Sequence, residues 1–311
     1  MASYRLANYG PDPRHAQAGL VVEDHVIDLK TTLAPRNVEF AGTSTLALLE
    51  AWDEAQPVLQ AIADQGPDSS ARSLAEVNLL APLLYPGTIY CAAANYTDHY
   101  DEMTMLGGKP DKTVLNPYFF LKAPRQAVIG PGEAIRLPSP SVSTKIDWEV
   151  EIGVVIGRPA YRVSQADAME HVAGYTILND VSARDHMKRE DWPFFSSDWF
   201  NQKVFDTSAP IGPWITPASE IADPHDLTLK TWVNDDIMQD SSSRYMVFNI
   251  PEQIEYLSRQ MTLLPGDIIA TGTCSGVGGA RDTYLKAGDR IRMEIEGLGV
   301  LENPVVGPAT A

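Results

Sequence analysis

The alternation of apolar and polar residues along the chain is typical of a protein rich in β-strands. Alternating runs predict short strands over residues 3–9, 18–22 and 25–29, with turns at 10–13 and 23–24. Further strand-like runs cover 88–92, 119–121, 149–156, 175–179, 227–233, 267–271 and 290–295. Helical spacing is confined to 45–63, with an interruption at Pro57, and to 164–173 and 251–260.

This order of elements predicts two units of unequal size. Residues 1–82 form a small α+β unit, in which a β-meander is followed by one or two helices. Residues 83–311 form a larger unit of many strands and few helices. The fold class is therefore α+β and mainly β, because strands do not alternate regularly with helices.

The run 147–157 carries carboxylates inside an otherwise apolar strand. Side chains alternate between the two faces of a strand, so Glu149 and Glu151 project together while Val150, Ile152 and Val154 pack on the other face. Two like charges on a half-buried surface repel each other unless a cation lies between them. A solvated polar face is the alternative interpretation of the pair.

A third carboxylate, Asp180, ends the apolar run 175–179. Three carboxylates from two strands suit a hard divalent cation such as Mg²⁺, with Mn²⁺ or Ca²⁺ also compatible. Three protein ligands leave coordination positions open, as a catalytic metal requires. Glu149, Glu151 and Asp180 are thus the candidate metal ligands.

The segment 95–102 contains a second candidate pair. If Thr97 caps a short helix, His99 and Glu102 lie on one face and within hydrogen-bonding reach of each other. A glutamate that binds one imidazole nitrogen makes the other nitrogen a better base, which is the arrangement of a water-activating dyad. A surface ion pair is the alternative.

Composition excludes several function classes. The 311 residues carry a formal net charge of −17, which argues against partners such as nucleic acid or an anionic membrane. The two cysteines are too few for a disulfide framework. No run approaches the ~20 apolar residues of a membrane-spanning helix, and the first residues lack a signal-peptide layout. The expected location is the cytoplasm.

Three further segments are candidates for function. Lys203 lies among aromatic residues, and the glycine-rich stretch 272–279 follows a strand. Such a stretch can direct N–H groups at an anion, although a tight hairpin turn is the simpler interpretation. The polar segment 103–116 is either a mobile lid or a surface insertion. Four aromatic residues lie near Met187 in the chain, namely Trp192, Phe194, Phe195 and Trp199. They favour either an apolar pocket or a buried core.

Five motifs in this order resemble the fumarylacetoacetate hydrolase family. They are NYxxHxxE, DWEVEIGVVIG, LNDVSARD, QKxFDTxxPIGPW and LxPGDIIATGT, and the resemblance runs from about residue 89 to 306. It implies a mixed β-roll or barrel-like catalytic domain over 83–311, a homodimer, and Mg²⁺ or a similar ion. The segment 1–82 is similar to the small variable domain of many members.

The resemblance also assigns roles by position. It implies that Glu149, Glu151 and Asp180 bind the metal and that His99, Glu102 and Lys203 are catalytic. Tyr96, Arg184, Lys203 and Thr273 would contact the substrate. Met187 stands where members often have a glutamine that binds substrate, and residues 91–94 lack the additional aspartate ligand of some members.

The leading functional hypothesis is metal-dependent hydrolysis of a C–C bond in an acylpyruvate-like or other 1,3-diketo acid. The ion would act as a Lewis acid, His99 with Glu102 would activate water, and Lys203 would neutralise the departing enolate. Decarboxylation or enol–keto isomerisation of a related keto acid is the first alternative. A non-catalytic keto-acid binder is the second.

Overall fold

A computed structural model describes residues 1–34, 44–103, 110–189, 191 and 197–309. Its α-helices, numbered in chain order, are α1 (Leu29–Leu33), α2 (Thr45–Glu50), α3 (Trp52–Gln65), α4 (Thr97–Glu102), α5 (Pro124–Ala127), α6 (Trp199–Lys203) and α7 (Ile250–Gln260). Within the described residues, no helix combines the length and apolar character that crossing a bilayer requires.

Strands dominate the rest of the chain. They are β1 (Arg5–Tyr9), β2 (Gln17–Val22), β3 (His25–Asp28), β4 (Arg72–Ser73), β5 (Leu79–Leu80), β6 (Ile89–Ala92), β7 (Phe119–Lys122), β8 (Val128–Ile129), β9 (Ile135–Arg136), β10 (Ile146–Asp147), β11 (Val150–Ile156), β12 (Val172–Asn179), β13 (Ser182–Ala183), β14 (Ala209–Pro217), β15 (Thr228–Val233), β16 (Asp236–Ser242), β17 (Ile268–Thr273), β18 (Arg290–Ile295) and β19 (Gly299–Val306). The expected fold class, mainly β with some helices, is confirmed.

The strands form one large sheet and two smaller ones. The large sheet has the order β4-β3-β2-β1-β14-β12-β11-β17-β6-β7, with β5 on β1 and β8 on β14. A second sheet has the order β16-β15-β18-β19-β9, and β10 pairs with β13. The meander of β1 to β3 joins the large sheet where Leu6 pairs with Ile215. The division of the chain at residue 82 stays a prediction.

Strand β11 lies at the centre of the large sheet, between β12 and β17, and every one of its residues is buried. Val150, Ile152 and Val154 pack in the main hydrophobic core, whereas Val155 packs in a second core on the other side of the sheet. The predicted separation of Glu149 and Glu151 from the apolar face is thus observed. Because both faces are covered, the two carboxylates are held inside the protein.

Two predicted helices differ from the observed structure. The interruption in the first helical region falls at Ala51, between α2 and α3, and Pro57 lies within α3. There proline removes a single N–H donor close to the start of the helix. The predicted helix over 164–173 was wrong, because a 3₁₀ turn covers Ala168–His171 and β12 begins at Val172. Pairing of β12 with β11 and β14 overrides the local helical signal.

The predicted helix over 251–260 is confirmed as α7. Asn249 accepts a hydrogen bond from the N–H of Glu252, and the Glu252 side chain accepts one from the N–H of Asn249. This capping box satisfies N–H groups that the first helical turn leaves free. The helix start is therefore set by local sequence rather than by distant contacts.

Candidate active site and metal centre

The three candidate metal ligands meet at one end of the β11–β12 pair. Glu149 directly precedes β11, Glu151 lies within it, and Asp180 directly follows β12. Val150 is paired with Asn179, and the N–H of Asp180 donates to the carbonyl of Glu149 over 2.9 Å. As a result, carboxylate oxygens of all three side chains lie within 4.8 Å of one another, and all three residues are buried.

The three carboxylates have different electrostatic environments. Burial raises the pKa of Glu151 well above its usual range, and the negative charges of Asp180 and Glu149 raise it further. Burial alone would also raise the pKa of Glu149, but Lys203 and Arg184 outweigh it and lower this pKa to about 2. Lys203 also lowers the pKa of Glu151, but it does not outweigh burial and the two carboxylates there as it does, with Arg184, at Glu149.

Two buried lysines approach the same cluster. The Nζ of Lys203 lies 2.7 Å from Glu149 Oε2 and 2.6 Å from Asp180 Oδ2. The Nζ of Lys122 lies 2.9 Å from Asp180 Oδ1, and it also donates to the backbone carbonyls of Val181 and Lys203. Burial lowers the pKa of Lys203, but the charges of Asp180 and Glu149 produce a net increase. Positive charge is therefore built into this cluster.

The donor set fits a hard divalent cation. Three carboxylate oxygens at close range are ligands that Mg²⁺, Mn²⁺ and Ca²⁺ accept. The raised pKa of Glu151 reflects burial first and repulsion by two neighbouring carboxylates second, and a divalent cation would oppose both effects by favouring the ionised form. The chemistry of these residues is consistent with a metal centre.

The predicted His99–Glu102 pair forms in α4. His99 Nδ1 lies 2.7 Å from Glu102 Oε1, and the second oxygen of Glu102 accepts a hydrogen bond from the N–H of Gly276 over 2.8 Å. The interaction with Nδ1 leaves Nε2 of His99 free of Glu102. The start of the helix differs from the prediction that Thr97 is the cap, because Tyr96 occupies the cap position and Thr97 is the first helical residue.

A cavity of about 300 Å³ brings these groups together. Its polar lining comes from seven residues, which are His99, Glu149, Arg184, Ser197, Gln202, Lys203 and Thr273. Its apolar lining comes mainly from small and aromatic residues and two methionines, which are Ala92, Ala93, Ala94, Tyr100, Met103, Tyr118, Phe120, Met187 and Trp199. One end of the cavity is therefore highly charged, and the remaining wall is largely hydrocarbon.

The candidate substrate contacts differ in accessibility. Arg184 lines the cavity, where its Nε lies 2.7 Å from Asp147 Oδ2 and its terminal nitrogen lies 2.5 Å from Glu149 Oε1. Thr273 also lines it and donates to the carbonyl of Val150. Tyr96, in contrast, is fully buried in the main core and is not part of the described cavity lining. The structure thus separates Tyr96 from the cavity.

The glycine-rich stretch 272–279 binds carboxylates of the protein itself. The N–H of Gly272 donates to Glu151, that of Gly276 to Glu102, and those of Gly278 and Gly279 to Asp147. The sequence favoured a tight hairpin turn, with anion binding as the other possibility, and it gave no reason to link the stretch to these carboxylates.

Sequence reasoning missed three residues of this site. Asp147 is fully buried and joins the glycine-rich stretch to Arg184, and its position at the start of the DWEVE run was an available signal. Lys122 ends β7 and carries no recognisable motif. Gln202 directly precedes Lys203 and also lines the cavity. Trp192, Phe194, Phe195 and most of the proposed lid, 104–109, lie outside the described residues.

Residues 88–306 match the family model described as Fumarylacetoacetate (FAA) hydrolase C-terminal. This range contains all of the motifs and the whole of the charged cluster. The chain belongs to the fumarylacetoacetate hydrolase family. Family membership and the observed fold agree with the resemblance inferred from the sequence.

Similar proteins include enzymes with different named reactions. Oxaloacetate tautomerase fahd2, mitochondrial, from Xenopus laevis is 37% identical over 315 residues, covering 98% of this chain and 91% of the relative. Maleylpyruvate hydrolase from Sphingobium sp. SYK-6, solved with manganese (II) ion and pyruvate, is 31% identical with a TM-score of 0.75, covering 98% of this chain and 100% of that one. A 5-carboxymethyl-2-hydroxymuconate delta-isomerase from Mycobacterium smegmatis is 32% identical with a TM-score of 0.72, covering 98% and 100%.

Proposed function

We propose that the protein is a divalent-metal-dependent hydrolase that cleaves a C–C bond in acylpyruvate-like 1,3-diketo acids. The observation that carries this proposal is the position of the His99–Glu102 pair, whose Nδ1–Oε1 distance is 2.7 Å, in the same cavity as Glu149, Arg184 and Lys203. A hydrolase needs a base within reach of water and positive charge near the electrons released by bond cleavage.

The metal would be held by Glu149, Glu151 and Asp180, and Mg²⁺ is the first candidate, with Mn²⁺ or Ca²⁺ as the others. When bound, such an ion supplies Lewis-acid polarisation of substrate oxygens. The manganese (II) ion named in the Sphingobium hydrolase structure supports a divalent ion here.

His99 acts as the base in this proposal. Its Nε2 takes a proton from water as the water oxygen attacks the acyl carbonyl carbon, and Glu102 holds the ring in the required tautomer. The bond between the acyl carbon and C3 of the pyruvate unit then breaks, and its electron pair remains on the pyruvate unit as an enolate. Protonation of that enolate gives pyruvate, and the acyl unit leaves as a carboxylic acid.

Lys203 and Arg184 supply positive charge at the polar end of the cavity. Lys203 would stabilise the enolate, and Arg184 would attract the substrate carboxylate even though the whole chain carries a net charge of −17. Thr273 lines the same cavity, although its hydroxyl already donates to Val150 and accepts from Gln239. A direct role for Tyr96 receives no support from its buried position.

Tautomerisation or decarboxylation of a small keto acid is the second candidate. The names of the Xenopus tautomerase and the Mycobacterium isomerase favour it, and both reactions need an enolate but no nucleophilic water. Cytoplasmic location and a homodimer remain predictions from the sequence. Fractionation would test the former, and light scattering coupled to gel filtration would test the latter.

One experiment separates the two candidates. Purified protein with Mg²⁺ or Mn²⁺ is assayed for acetylpyruvate cleavage and for oxaloacetate tautomerisation, and both assays are repeated with His99→Ala and with EDTA. We expect metal-dependent cleavage that His99→Ala abolishes while tautomerisation persists. Tautomerisation without any cleavage in the wild-type protein would favour the second candidate. Keto-acid binding without turnover would favour a non-catalytic binder.

A further inference from the structure

The apolar wall of the cavity is continuous and well ordered by ring contacts. Phe120 and Trp199 stack with ring centroids 4.9 Å apart and an interplanar angle of 8°, and Tyr118 contacts the same indole at 5.6 Å. Met103 and Met187 extend this wall. Aromatic and thioether side chains of this kind bind hydrocarbon groups and offer little to a carboxylate.

The cations of the cavity are already engaged by carboxylates. Among the described residues that line it, Arg184 and Lys203 are the only arginine and lysine. Arg184 contacts Asp147 and Glu149, and Lys203 contacts Glu149 and Asp180. The Nζ of Lys203 also lies 5.0 Å from the centroid of the Phe120 ring, so Phe120 marks the point where the polar end meets the apolar wall. A second carboxylate on the substrate, placed farther along the wall against Met187 and Trp199, would be desolvated without a paired cation.

We infer that the preferred substrate is an acylpyruvate whose acyl chain is uncharged and apolar, with aliphatic or aromatic groups packed against Phe120, Met187 and Trp199. This inference rests on the proposed function, since it assigns the part of the substrate beyond the 1,3-diketo acid unit. Oxaloacetate has no chain beyond its second carboxylate and would leave the wall uncovered.

The test compares acylpyruvates of equal chain length that end either in a methyl group or in a carboxylate. We expect kcat/KM to be roughly tenfold or more higher for the methyl-ended compound, because the carboxylate would lose its hydration without gaining a partner. Each methylene added to the apolar series should raise kcat/KM by roughly fourfold until the cavity is full.

Two lysine substitutions test the location of this selectivity. Met187→Lys introduces a cation into the wall and should lower the preference for the methyl-ended substrate by about tenfold. Leu121→Lys is the matched control, because Leu121 is adjacent to Phe120 in β7 but is 53% exposed and outside the described lining. It should leave the preference unchanged.

The outcomes distinguish this inference from the proposed function. Cleavage of acetylpyruvate together with equal or better use of the carboxylate-ended chain would overturn the inference and leave the hydrolase assignment intact. Failure to cleave acetylpyruvate and both longer compounds would overturn the inference and the proposed hydrolase function together. An equal response to Met187→Lys and Leu121→Lys would show that the wall does not select the chain.

A separate observation concerns Gln202, which directly precedes Lys203 in α6. Its side chain is 1% exposed and lines the cavity, and its Oε1 has no hydrogen-bond partner. A buried amide oxygen without a partner is unfavourable for the folded protein. The position of this oxygen in a cavity wall is explained if a bound ligand donates the missing hydrogen bond to it.

We propose that the Gln202 amide oxygen accepts a hydrogen bond from the enol hydroxyl of the diketo acid, because that hydroxyl is the donor the buried oxygen lacks. Gln202 is a substrate-binding residue in this proposal and takes no part in proton transfer with His99.

Gln202→Leu separates a structural role from a binding role, because the two roles predict opposite changes in melting temperature and different changes in KM. We expect the melting temperature without substrate to stay the same or rise, because an unsatisfied buried polar group is removed. KM for acetylpyruvate should rise roughly tenfold, with a smaller change in kcat. A fall in melting temperature with unchanged KM would show a structural role and overturn the proposal. Gln253→Leu is the control, because the Oε1 of Gln253 in α7 is also buried without a partner but lies outside the described cavity lining, and this variant should leave KM unchanged.

Discussion

Lys122 and Asp180 form an ion pair in which both side chains are almost completely buried. Nζ and Oδ1 are 2.9 Å apart, and the side chains are 0% and 1% exposed. Nζ also donates hydrogen bonds to the carbonyls of Val181 and Lys203. This pair joins the end of β7 to the segment that follows β12 and so fixes one side of the charged cluster.

Removing the lysine from this pair should strongly destabilise the protein. Lys122→Met leaves Asp180 with less compensating charge in a buried position, and we expect a loss of about 3–5 kcal/mol in the free energy of unfolding. Urea denaturation in EDTA measures it. Lys230→Met is the control, because Lys230 and Asp240 form a partly exposed pair with a distance of 3.9 Å, and its loss should cost less than about 1 kcal/mol. Equal stability of the two variants would contradict the expectation.

Substitution of Glu151 should separate metal binding from folding. Glu151→Gln removes the ionisable carboxyl with the raised pKa from a buried cluster of three, and the amide oxygen can still accept from the N–H of Gly272. In EDTA we expect a melting temperature at or above that of the wild-type protein.

The metal response of the same variant provides the decisive measurement. Mn²⁺ at 100 times its dissociation constant should stabilise the wild-type protein by about 2.7 kcal/mol, whereas Glu151→Gln should lose most of this gain. Glu255→Gln, which alters a surface carboxylate paired with Arg259, should keep the full response. A normal Mn²⁺ response in Glu151→Gln would exclude Glu151 as a ligand.

The acid stability of the protein should depend on Glu149. Its folded-state pKa is about 2 because Lys203 and Arg184 overcome the effect of burial, whereas its reference value is 4.5. A depressed folded-state pKa contributes stability above the unfolded value, and this contribution is lost as the pH falls from about 4.5 towards 2. In EDTA, the difference in free energy of unfolding between the wild-type protein and Glu149→Gln should therefore become smaller as the pH falls over that interval. Urea denaturation at several pH values measures it, and a difference that does not change with pH would contradict this role of Glu149.

Two glycines allow a test of the link between the glycine-rich stretch and the base. Gly276 has φ +103°, and a Cβ there would lie 2.0 Å from the carbonyl oxygen of Met238. Gly276→Ala must therefore shift the N–H that binds Glu102, and we expect kcat to fall at least roughly tenfold. Gly132 has φ +75° with no atom within 4 Å of the corresponding position.

Gly132→Ala is therefore the control for backbone strain alone. It should cost about 1–2 kcal/mol in stability and leave kcat within a factor of about two. Kinetics and thermal melting of both variants supply the comparison. Similar kcat values for Gly276→Ala and the wild-type protein would show that the position of Glu102 does not depend on this N–H.

The sequence was most informative where local patterns and the fold agree. Alternation predicted that Glu149 and Glu151 share one face of β11, and helical spacing predicted the contact between His99 and Glu102. Both relationships depend on residues close together in the chain. The capped helix α7 was predictable for the same reason.

Long-range contacts could not be read from local patterns. Lys122 reaches Asp180 because β7 and β12 lie in one sheet, and no spacing along the chain indicates that contact. The wrong helix over 164–173 has a similar cause, since β12 is stabilised by pairing with two distant strands. The position of Tyr96 in the core likewise depends on tertiary packing rather than on its motif.

The hydrogen bonds of residues 272–279 have a consequence for how this enzyme can change. That stretch holds Glu151, Glu102 and Asp147 through its backbone, so inserting or deleting a residue there would disturb the base and the acidic cluster at once. Met187 and Trp199, in contrast, belong to separate segments and hold none of these three carboxylates. New substrate preferences should therefore arise, in nature or in directed evolution, by exchange of wall side chains while the length of the glycine-rich stretch stays constant.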